Sequence, residues 1–362
     1  MMTRLFSPLD LRDTTIPNRV MVSPMCQYSC EQRDGLATDW HRTHLGSRAV
    51  GGAGLVMTEA TAVEPRGRIS PEDLGIWSDE HADALRPITE FVREQGSVPA
   101  IQLAHAGRKA ATSRPWDGHD PLGPDEGGWA VVGPTDEPWP YEGEAPPTER
   151  LSVEEIESVI DSFRTAAERA LNAGFEVTEV HAAHGYLLHE FLSPVTNTRE
   201  DDYGGDFEGR TRLLREVTQT VRDVWPDEKP VFVRISATDW LPDRESWTLD
   251  DSVRLADRLG VDLLDVSGGG IHPDSRPEQA GPNYQVRYAE RIREETDLQV
   301  GAVGGITTPE QAEALLANER ADLAIVGREH LRDPYFALHA AETLDATEEV
   351  ESPPQYRRAF GF

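Results

Sequence analysis

The sequence predicts an α/β fold, a single (β/α)8 TIM barrel, from three observations. Eight short apolar runs alternate with amphipathic segments along the 362 residues, which is the pattern of repeated βα units. Eight such units favour closure into a barrel with right-handed crossovers, and the length suits a barrel with insertions. The first run leads into SPMCQYS rather than a dinucleotide-binding glycine motif, which argues against the alternative, an open doubly wound sheet. We therefore expect one domain over residues 1–362.

The eight predicted strands are rich in β-branched residues. They cover residues 19–25, 54–63, 98–105, 175–181, 230–236, 262–267, 299–303 and 322–326. Between them, segments such as 152–174 and 208–225 place apolar residues at three- and four-residue spacing, as amphipathic helices do.

Three helix starts are marked by capping residues. Ser152 followed by Glu155 has the pattern of a capping box. Thr248 and Thr308 occupy N-cap positions, and Thr308 precedes a proline, which is favoured at the first helical position.

One long segment, residues 107–150, interrupts the alternation after the third strand. It is rich in Gly, Pro, Trp and acidic residues, and a loop of this length is usually functional or disordered. Its tryptophans favour an ordered cap over the mouth of the barrel. We call residues 107–150 the cap segment.

The charge balance is strongly acidic. The chain has 35 Lys and Arg against 65 Asp and Glu, a net charge of −30, and Lys109 and Lys229 are its only lysines. A surface of this kind repels itself unless salt screens it, so we predict a protein adapted to a salty cell interior. The same charge excludes nucleic-acid binding, which needs clustered cations.

The cysteine content and hydropathy predict a cytoplasmic protein. Cys26 and Cys30 are too few for a disulfide framework or a four-ligand zinc site, so we expect no metal. No apolar stretch approaches the ~18 residues of a membrane span, and the N-terminus has no signal-peptide pattern.

Glycines after the last two strands suggest a phosphate site. The strand ends of a barrel build its active site, and the loops after strands seven and eight commonly bind phosphate. Here those loops begin with Gly304-Gly305 and with Gly327-Arg328. Although each glycine alone could simply turn a strand into a loop, together they favour a cofactor that carries a phosphate.

The fourth strand ends in the motif HAAHGY. His181 and His184 are too few to bind a metal, but two imidazole N–H groups could hold one substrate oxygen while the phenol of Tyr186 supplies a proton. Two histidines with a purely structural role are the alternative.

Several motifs together resemble the old yellow enzyme family, and most closely its thermophilic-like bacterial branch. They are SPMCQYS, DLGIWSDEH, QLAHAGRKA, HAAHGYLLHEFLSPVTNTREDDYGGDFEGR, DVSGGG, AVGGI, VGRE and PPQYRRAF, which follow the family's order over nearly the whole chain. The resemblance implies an FMN-dependent ene-reductase that takes hydride from NADPH or NADH onto flavin N5 and passes it to an activated C=C bond in a ping-pong cycle. The related dienoyl-CoA reductase type carries a downstream cysteine array, which this sequence lacks. A flavin-binding protein without turnover is the other alternative.

The resemblance also assigns roles to individual residues. Gln102 and Arg234 are expected at the pyrimidine end of the flavin, and His181 and His184 at the carbonyl oxygen of an enone substrate. Tyr186 is expected to protonate Cα, Cys26 to modulate the flavin and Tyr28 to face the substrate. The remaining residues expected to bind FMN are Ser23, Pro24, Met25, Ala60, Gly304, Gly305, Gly327 and Arg328.

Two further expectations concern the cap segment and the C-terminal tail, residues 351–362. Lys109, in the motif RKA, is expected to contact the cap or the flavin. The motif PPQYRRAF resembles a segment that reaches a neighbouring subunit's active site, which implies a homodimer or homotetramer with Arg358 at the substrate. Two residues, Gly361 and Phe362, extend beyond this motif.

Overall fold

The computed structural model describes residues 3–141, 143 and 145–360 and contains a closed barrel of eight parallel strands. In chain order the strands are β1 (Leu9–Leu11), β2 (Thr14–Ile16), β3 (Val20–Val22), β4 (Leu55–Ala62), β5 (Val98–Ala104), β6 (Val131–Gly133), β7 (Thr148–Arg150), β8 (Val177–Ala182), β9 (Val231–Ser236), β10 (Leu263–Ser267), β11 (Gln299–Val303) and β12 (Leu323–Val326). The barrel order is β3-β4-β5-β8-β9-β10-β11-β12, closed between β12 and β3. Seven barrel strands lie within predicted runs and β8 extends one residue beyond its run, to Ala182, so the barrel prediction is confirmed.

Helices alternate with the barrel strands, and the last three follow β12. They are α1 (Asp39–Val50), α2 (Asp79–Glu94), α3 (Val153–Asn172), α4 (Leu187–Leu192), α5 (Phe207–Val224), α6 (Leu249–Ala256), α7 (Val286–Glu295), α8 (Pro309–Ala317), α9 (Arg328–Arg332), α10 (Phe336–Thr343) and α11 (Arg357–Phe360). None of the helices in the described ranges is both long enough and apolar enough to cross a membrane.

The predicted helix starts are confirmed. The Ser152 hydroxyl accepts a hydrogen bond from the backbone N–H of Glu155, whose carboxylate accepts one from the backbone N–H of Ser152. Thr248 and Thr308 also cap their helices with capping boxes. Each such cap is worth about 1 kcal/mol to the helix that it begins.

Two apolar layers hold the barrel together. One lies between the strands and the surrounding helices, and the other fills the inside of the barrel. Leu9, Leu11 and Ile16 belong to the inner layer. They come from the antiparallel pair β1–β2, which the sequence did not predict and which closes the N-terminal end of the barrel.

The cap segment lies against the opposite, C-terminal end of the barrel. Its backbone forms 3-10 turns and the short pair β6–β7; residues 142 and 144 are outside the described residues. Trp116 of the segment packs edge-to-face on Tyr28, which follows β3. Arg108 donates a hydrogen bond to the carbonyl of Ile271, which follows β10.

Candidate active site

The side chains inside the barrel form two tiers. The lower tier is apolar and includes Ala100, Val177, Phe232 and Leu263. Because residues i and i+2 of a strand face the same side, the residues two positions further along those strands also point inward. They form an upper tier that is polar: Gln102, Glu179, Arg234 and Asp265, which are 0–6% exposed.

The upper tier consists of two pairs on adjacent strands. Gln102 is in register with Glu179, and its amide nitrogen donates a 2.7 Å hydrogen bond to Glu179 Oε1. Arg234 is in register with Asp265, and its Nε lies 3.1 Å from Asp265 Oδ2 without the alignment of a hydrogen bond. Each of the two residues expected at the flavin therefore has a carboxyl group beside it.

These residues fit the pyrimidine end of a flavin. The side chain of Arg234 is 7% exposed, yet in the described structure no residue accepts a hydrogen bond from its two Nη groups. A buried guanidinium needs acceptors, and the flavin N1 and O2 atoms are acceptors that become more negative on reduction. Gln102 has one amide N–H and its carbonyl oxygen left to meet the donor and acceptor groups of the same ring edge.

The glycines after β11 and β12 fit a phosphate group. Gly304 and Gly305 have φ values of +128° and +70°, which bulkier residues rarely adopt. A Cβ on Gly327 would lie 3.7 Å from the Cβ of Ser23 and 3.9 Å from the sulfur of Met25. The glycine loop after β12 therefore adjoins the residues after β3 that were predicted to line the flavin.

His181, His184 and Tyr186 form one cluster at the end of β8. The ring of His181 lies 5.3 Å from that of His184 and 5.2 Å from that of Tyr186, and both contacts are edge-to-face. His181 is in register with Arg234, so the cluster stands beside the upper tier. The structure thus brings together the residues predicted for the substrate and those predicted for the flavin.

Both imidazoles are neutral hydrogen-bond donors. Burial lowers the pKa of His181 and of His184, and the charge of Arg234 lowers each further. His181 Nδ1 accepts a 3.3 Å hydrogen bond from Ala183 N–H, which assigns the proton to Nε2. His184 Nε2 lies 2.7 Å from the hydroxyl of Ser267; when that hydroxyl donates, His184 Nδ1 carries the proton.

A close backbone contact fixes the turn that carries His184. His184 has φ +60°, and the turn after β8 packs directly on the glycines after β10. A Cβ on Gly185 would collide with the carbonyl oxygen of Gly270, and a Cβ on Gly270 would lie 2.7 Å from His184 Cα. The motifs HAAHGY and DVSGGG are therefore two halves of one packed structure.

Residues after β3 form an apolar wall near Tyr186. Cys26, Tyr28 and Tyr186 pack against one buried cluster that includes Ile69 and Ala106. Burial raises the pKa of Cys26, as do the nearby carboxyl groups of Asp73 and Glu59, so its side chain is a thiol and not a thiolate. Burial raises the pKa of Tyr186 as well, which keeps the phenol protonated.

The other residues predicted along the flavin lie at the same strand ends. Ser23 continues from β3 and donates a 3.0 Å hydrogen bond from its N–H to the carbonyl of Val326. Pro24 and Met25 are half-buried. Ala60 is in register with Gln102.

Lys109 contacts the cap segment and the predicted proton donor. Its ammonium group donates hydrogen bonds to the carbonyls of His184, at 2.8 Å, and Gly270, at 3.2 Å. The same nitrogen lies 4.5 Å from the ring centre of Trp139 and 5.0 Å from that of Tyr186. The expected contact with the cap is present.

Arg358 lies apart from this site. It is exposed at the start of α11, and in the described part of the chain it forms no hydrogen bond or ion pair. Tyr356 packs on Tyr335 with 5.8 Å between ring centres. Gly361 and Phe362 are outside the described residues.

The sequence did not predict a place in the site for Glu179 and Asp265. The available signal was an acidic residue within an otherwise apolar strand, in VTEV and LLDVS. Glu190 was missed too: it is fully buried behind the cap segment and accepts a 2.9 Å hydrogen bond from the backbone N–H of Arg108.

Known proteins resemble the chain over its whole length. The NADPH dehydrogenase of Geobacillus sp. (strain WCH70) is 46% identical over 365 residues, which covers 100% of this chain and 100% of that protein. The NADPH dehydrogenase of Bacillus subtilis (strain 168) is 44% identical over 370 residues, or 99% of this chain and 100% of that protein. Among solved structures, morphinone reductase in complex with tetrahydroNAD matches with a TM-score of 0.76 and 27% identity, covering 97% of this chain and 93% of that chain.

The model of one protein family also matches residues 4–347. That match, the relatives and the site agree on an oxidoreductase that binds FMN and uses a nicotinamide nucleotide as reductant, as the resemblance to old yellow enzyme predicted. The chain therefore belongs to the NADH:flavin oxidoreductase / NADH oxidase family.

Proposed function

We propose that this protein is an ene-reductase, which reduces the activated C=C bond of α,β-unsaturated carbonyl compounds. The observation that supports this proposal is the cluster of two neutral imidazoles and one protonated phenol beside the FMN residues. Two neutral N–H donors suit a carbonyl oxygen that becomes enolate-like during reduction, since they stabilise growing negative charge without an initial ion pair.

Each residue of the cluster has one task in this mechanism. FMN, which Gln102 and Arg234 would hold, would supply hydride transfer from NADPH or NADH to Cβ of the substrate. His181 Nε2–H and His184 Nδ1–H hold the carbonyl oxygen and polarise the conjugated system. The phenol of Tyr186 gives its proton to Cα, a step in which a positioned acid contributes about 10²- to 10⁴-fold. Ser267 would support the reaction indirectly, because its hydroxyl, by donating to His184 Nε2, would keep the proton of His184 on Nδ1.

The residues after β3 would form the wall of the substrate pocket. Cys26, as a neutral thiol, presents a small polarisable surface. Tyr28 is held by its edge-to-face contact with Trp116 at 5.7 Å. This contact supports the cap segment as an ordered lid within one domain.

The C-terminal tail would complete the site in an oligomer. Arg358 is exposed, and the preceding Tyr356 is 37% exposed while docked on Tyr335. This docking would direct the tail away from its own barrel and toward a neighbouring subunit. We propose a homodimer or homotetramer in the cytoplasm, in which Arg358 binds substrate in the partner's site.

An anaerobic titration tests the proposed activity. The purified protein in molar KCl is reduced with NADPH and then mixed with 2-cyclohexen-1-one, while the flavin spectrum is recorded. We expect the flavin absorbance to bleach on reduction and to return with the enone. Flavin that stays reduced would refute the ene-reductase assignment but not the cofactor. It would favour instead a flavin protein without enone turnover.

A further inference from the structure

The upper tier of the barrel contains more carboxyl groups than its cation can balance. Glu179 and Asp265 are both 0% exposed, and Arg234 is the cation of this tier. Glu179 Oε2 and both oxygens of Asp265 accept no hydrogen bond within the described residues. Two ionised carboxylates in this environment would leave one negative charge uncompensated, which burial strongly opposes.

We propose that Glu179 and Asp265 act as positioning residues that share one negative charge: this charge balances Arg234, while the neutral member of the pair orients Gln102. The inference rests on the proposed function insofar as Gln102 and Arg234 bind FMN. It assigns no contact with FMN to either carboxyl group.

Geometry indicates which member carries the proton. Asp265 Oδ2 lies 3.1 Å from Arg234 Nε, whereas the carboxyl group of Glu179 has its only hydrogen bond in the described structure from the neutral amide of Gln102. Asp265 is therefore the better site for the charge, and Glu179 for the proton. Glu179 then still accepts the Gln102 N–H at Oε1 and fixes which end of that amide faces the flavin.

The surroundings of Glu179 agree with this assignment. Asp265 on β10 and Arg234 on β9 are the charged groups that face it, and β5 contributes only the amide of Gln102. His181, two residues further along β8, is held neutral. Burial raises the pKa of Glu179 to about 8, and the charge of Asp265 contributes to that rise while Arg234 opposes it. Glu179 is therefore the member of the pair that holds the proton at neutral pH.

The shared charge has a consequence for the flavin. Reduced FMN is anionic, and it should bind more tightly when Arg234 is less compensated. In either single variant, E179Q or D265N, one carboxyl group remains to carry the charge. Only the double variant E179Q/D265N leaves Arg234 without a counterion.

A double-mutant cycle on the FMN-loaded protein tests this. The measured quantity is the ratio of the dissociation constants for oxidised and reduced FMN, obtained from flavin-fluorescence titration and from the midpoint potential. At pH 7 each single variant should change this ratio by less than about threefold. The double variant should raise it by about tenfold or more, as expected for a buried charge that shifts an equilibrium by at least one pKa unit.

Glu190→Gln is the matched control. Glu190 is equally buried, and burial also raises its pKa to about 8, but it faces Arg108 and Lys109 instead of Arg234. This variant should leave the ratio within about twofold of the wild-type value. A large shift in either single variant of the pair, or a double variant equal to the singles, would overturn the shared charge.

A second measurement does not require the double variant. At pH 8.5 the wild-type protein should take up more protons per FMN reduced than E179Q, because anionic flavin returns the proton to Glu179. The slope of midpoint potential against pH reports this number. Equal slopes would also overturn the proposal. Neither measurement reads enone turnover, so a protein that binds FMN as expected but fails to reduce enones would refute only the proposed function.

Discussion

Replacing Lys109 by Met should slow the enone half-reaction about tenfold. The ammonium group lies 5.0 Å from the ring centre of Tyr186, where negative charge develops as the phenol gives up its proton. At an effective dielectric constant of about 20, a unit charge at that distance stabilises a phenolate by about 3 kcal/mol. With proton transfer half complete in the transition state, about half of this, ~1.5 kcal/mol, is lost in the variant, which corresponds to roughly tenfold in rate.

The pH dependence of the enone half-reaction tests the same role of Lys109 independently. Burial lowers the pKa of Lys109 from 10.5 to about 8, an effect that Glu190 opposes and Arg108 reinforces. Lys109 is therefore charged below about pH 8 and neutral above it. Its effect on Tyr186 should be present below that pH and lost as the pH rises. The wild-type rate should fall above pH 8, and the rate of Lys109→Met should lack this fall.

Stopped-flow spectroscopy separates the two half-reactions. Flavin reduction by NADPH is followed first, and reoxidation by 2-cyclohexen-1-one second. Lys229→Met is the matched control, because the only other lysine pairs with Glu176 at 2.8 Å on the outside of the barrel. A Lys109→Met protein that slows both half-reactions equally, or neither, would refute the electrostatic role. The two hydrogen bonds of Lys109 would then have a purely structural role.

The remaining predictions address the donor, the tail and the surface. Tyr186→Phe should slow flavin reoxidation by the enone by about 10²- to 10⁴-fold and spare flavin reduction by NADPH, in the same stopped-flow assay; equal rates would show that another group donates the proton. Deleting residues 355–362 should lower the mass measured by light scattering and raise the KM for the enone, whereas an unchanged assembly and KM would exclude Arg358 from the partner's site. Because the net charge is −30, the melting temperature should rise by several degrees between low and molar KCl, and full stability without salt would contradict salt adaptation.

The strand positions were predictable because the inside of a barrel demands a particular residue pattern. Apart from the two ends of β11, the eight barrel strands are buried on both faces, so they appear as apolar runs separated by helices. The helix starts were predictable for a local reason, since a capping box needs only residues three apart, as in Ser152 and Glu155. In contrast, β1–β2 spans only three residues per strand, and it is stabilised by packing on the barrel rather than by its own sequence.

The site also has a part that the sequence predicts and a part that only the fold determines. The motif HAAHGY predicted three neighbouring side chains because they follow one strand. The partners that fix them come from elsewhere: Ser267 from β10 and Lys109 from the cap segment. Such contacts depend on the closing of the barrel, so the local pattern could suggest a donor pair but not its tautomers. Only the folded structure shows that the turn after β8 rests on the glycines after β10.

An acidic protein must still bind an anionic cofactor, and the location of its cations resolves this conflict. The net charge of −30 is spread over the surface, where salt screens it over about 3 Å at molar concentration. Arg234 is buried and Lys109 half-buried at the C-terminal end of the barrel, where the surrounding protein keeps mobile ions away, so screening has little effect there. Retaining a proton on Glu179 would prevent the two buried acids from outweighing the positive charge of Arg234. Salt would then reduce the long-range repulsion between the acidic surface and FMN or NADPH. The short-range attraction of these anions to Arg234 and Lys109 would stay intact. FMN affinity should therefore rise with KCl at first, opposite to the behaviour of a basic phosphate-binding surface.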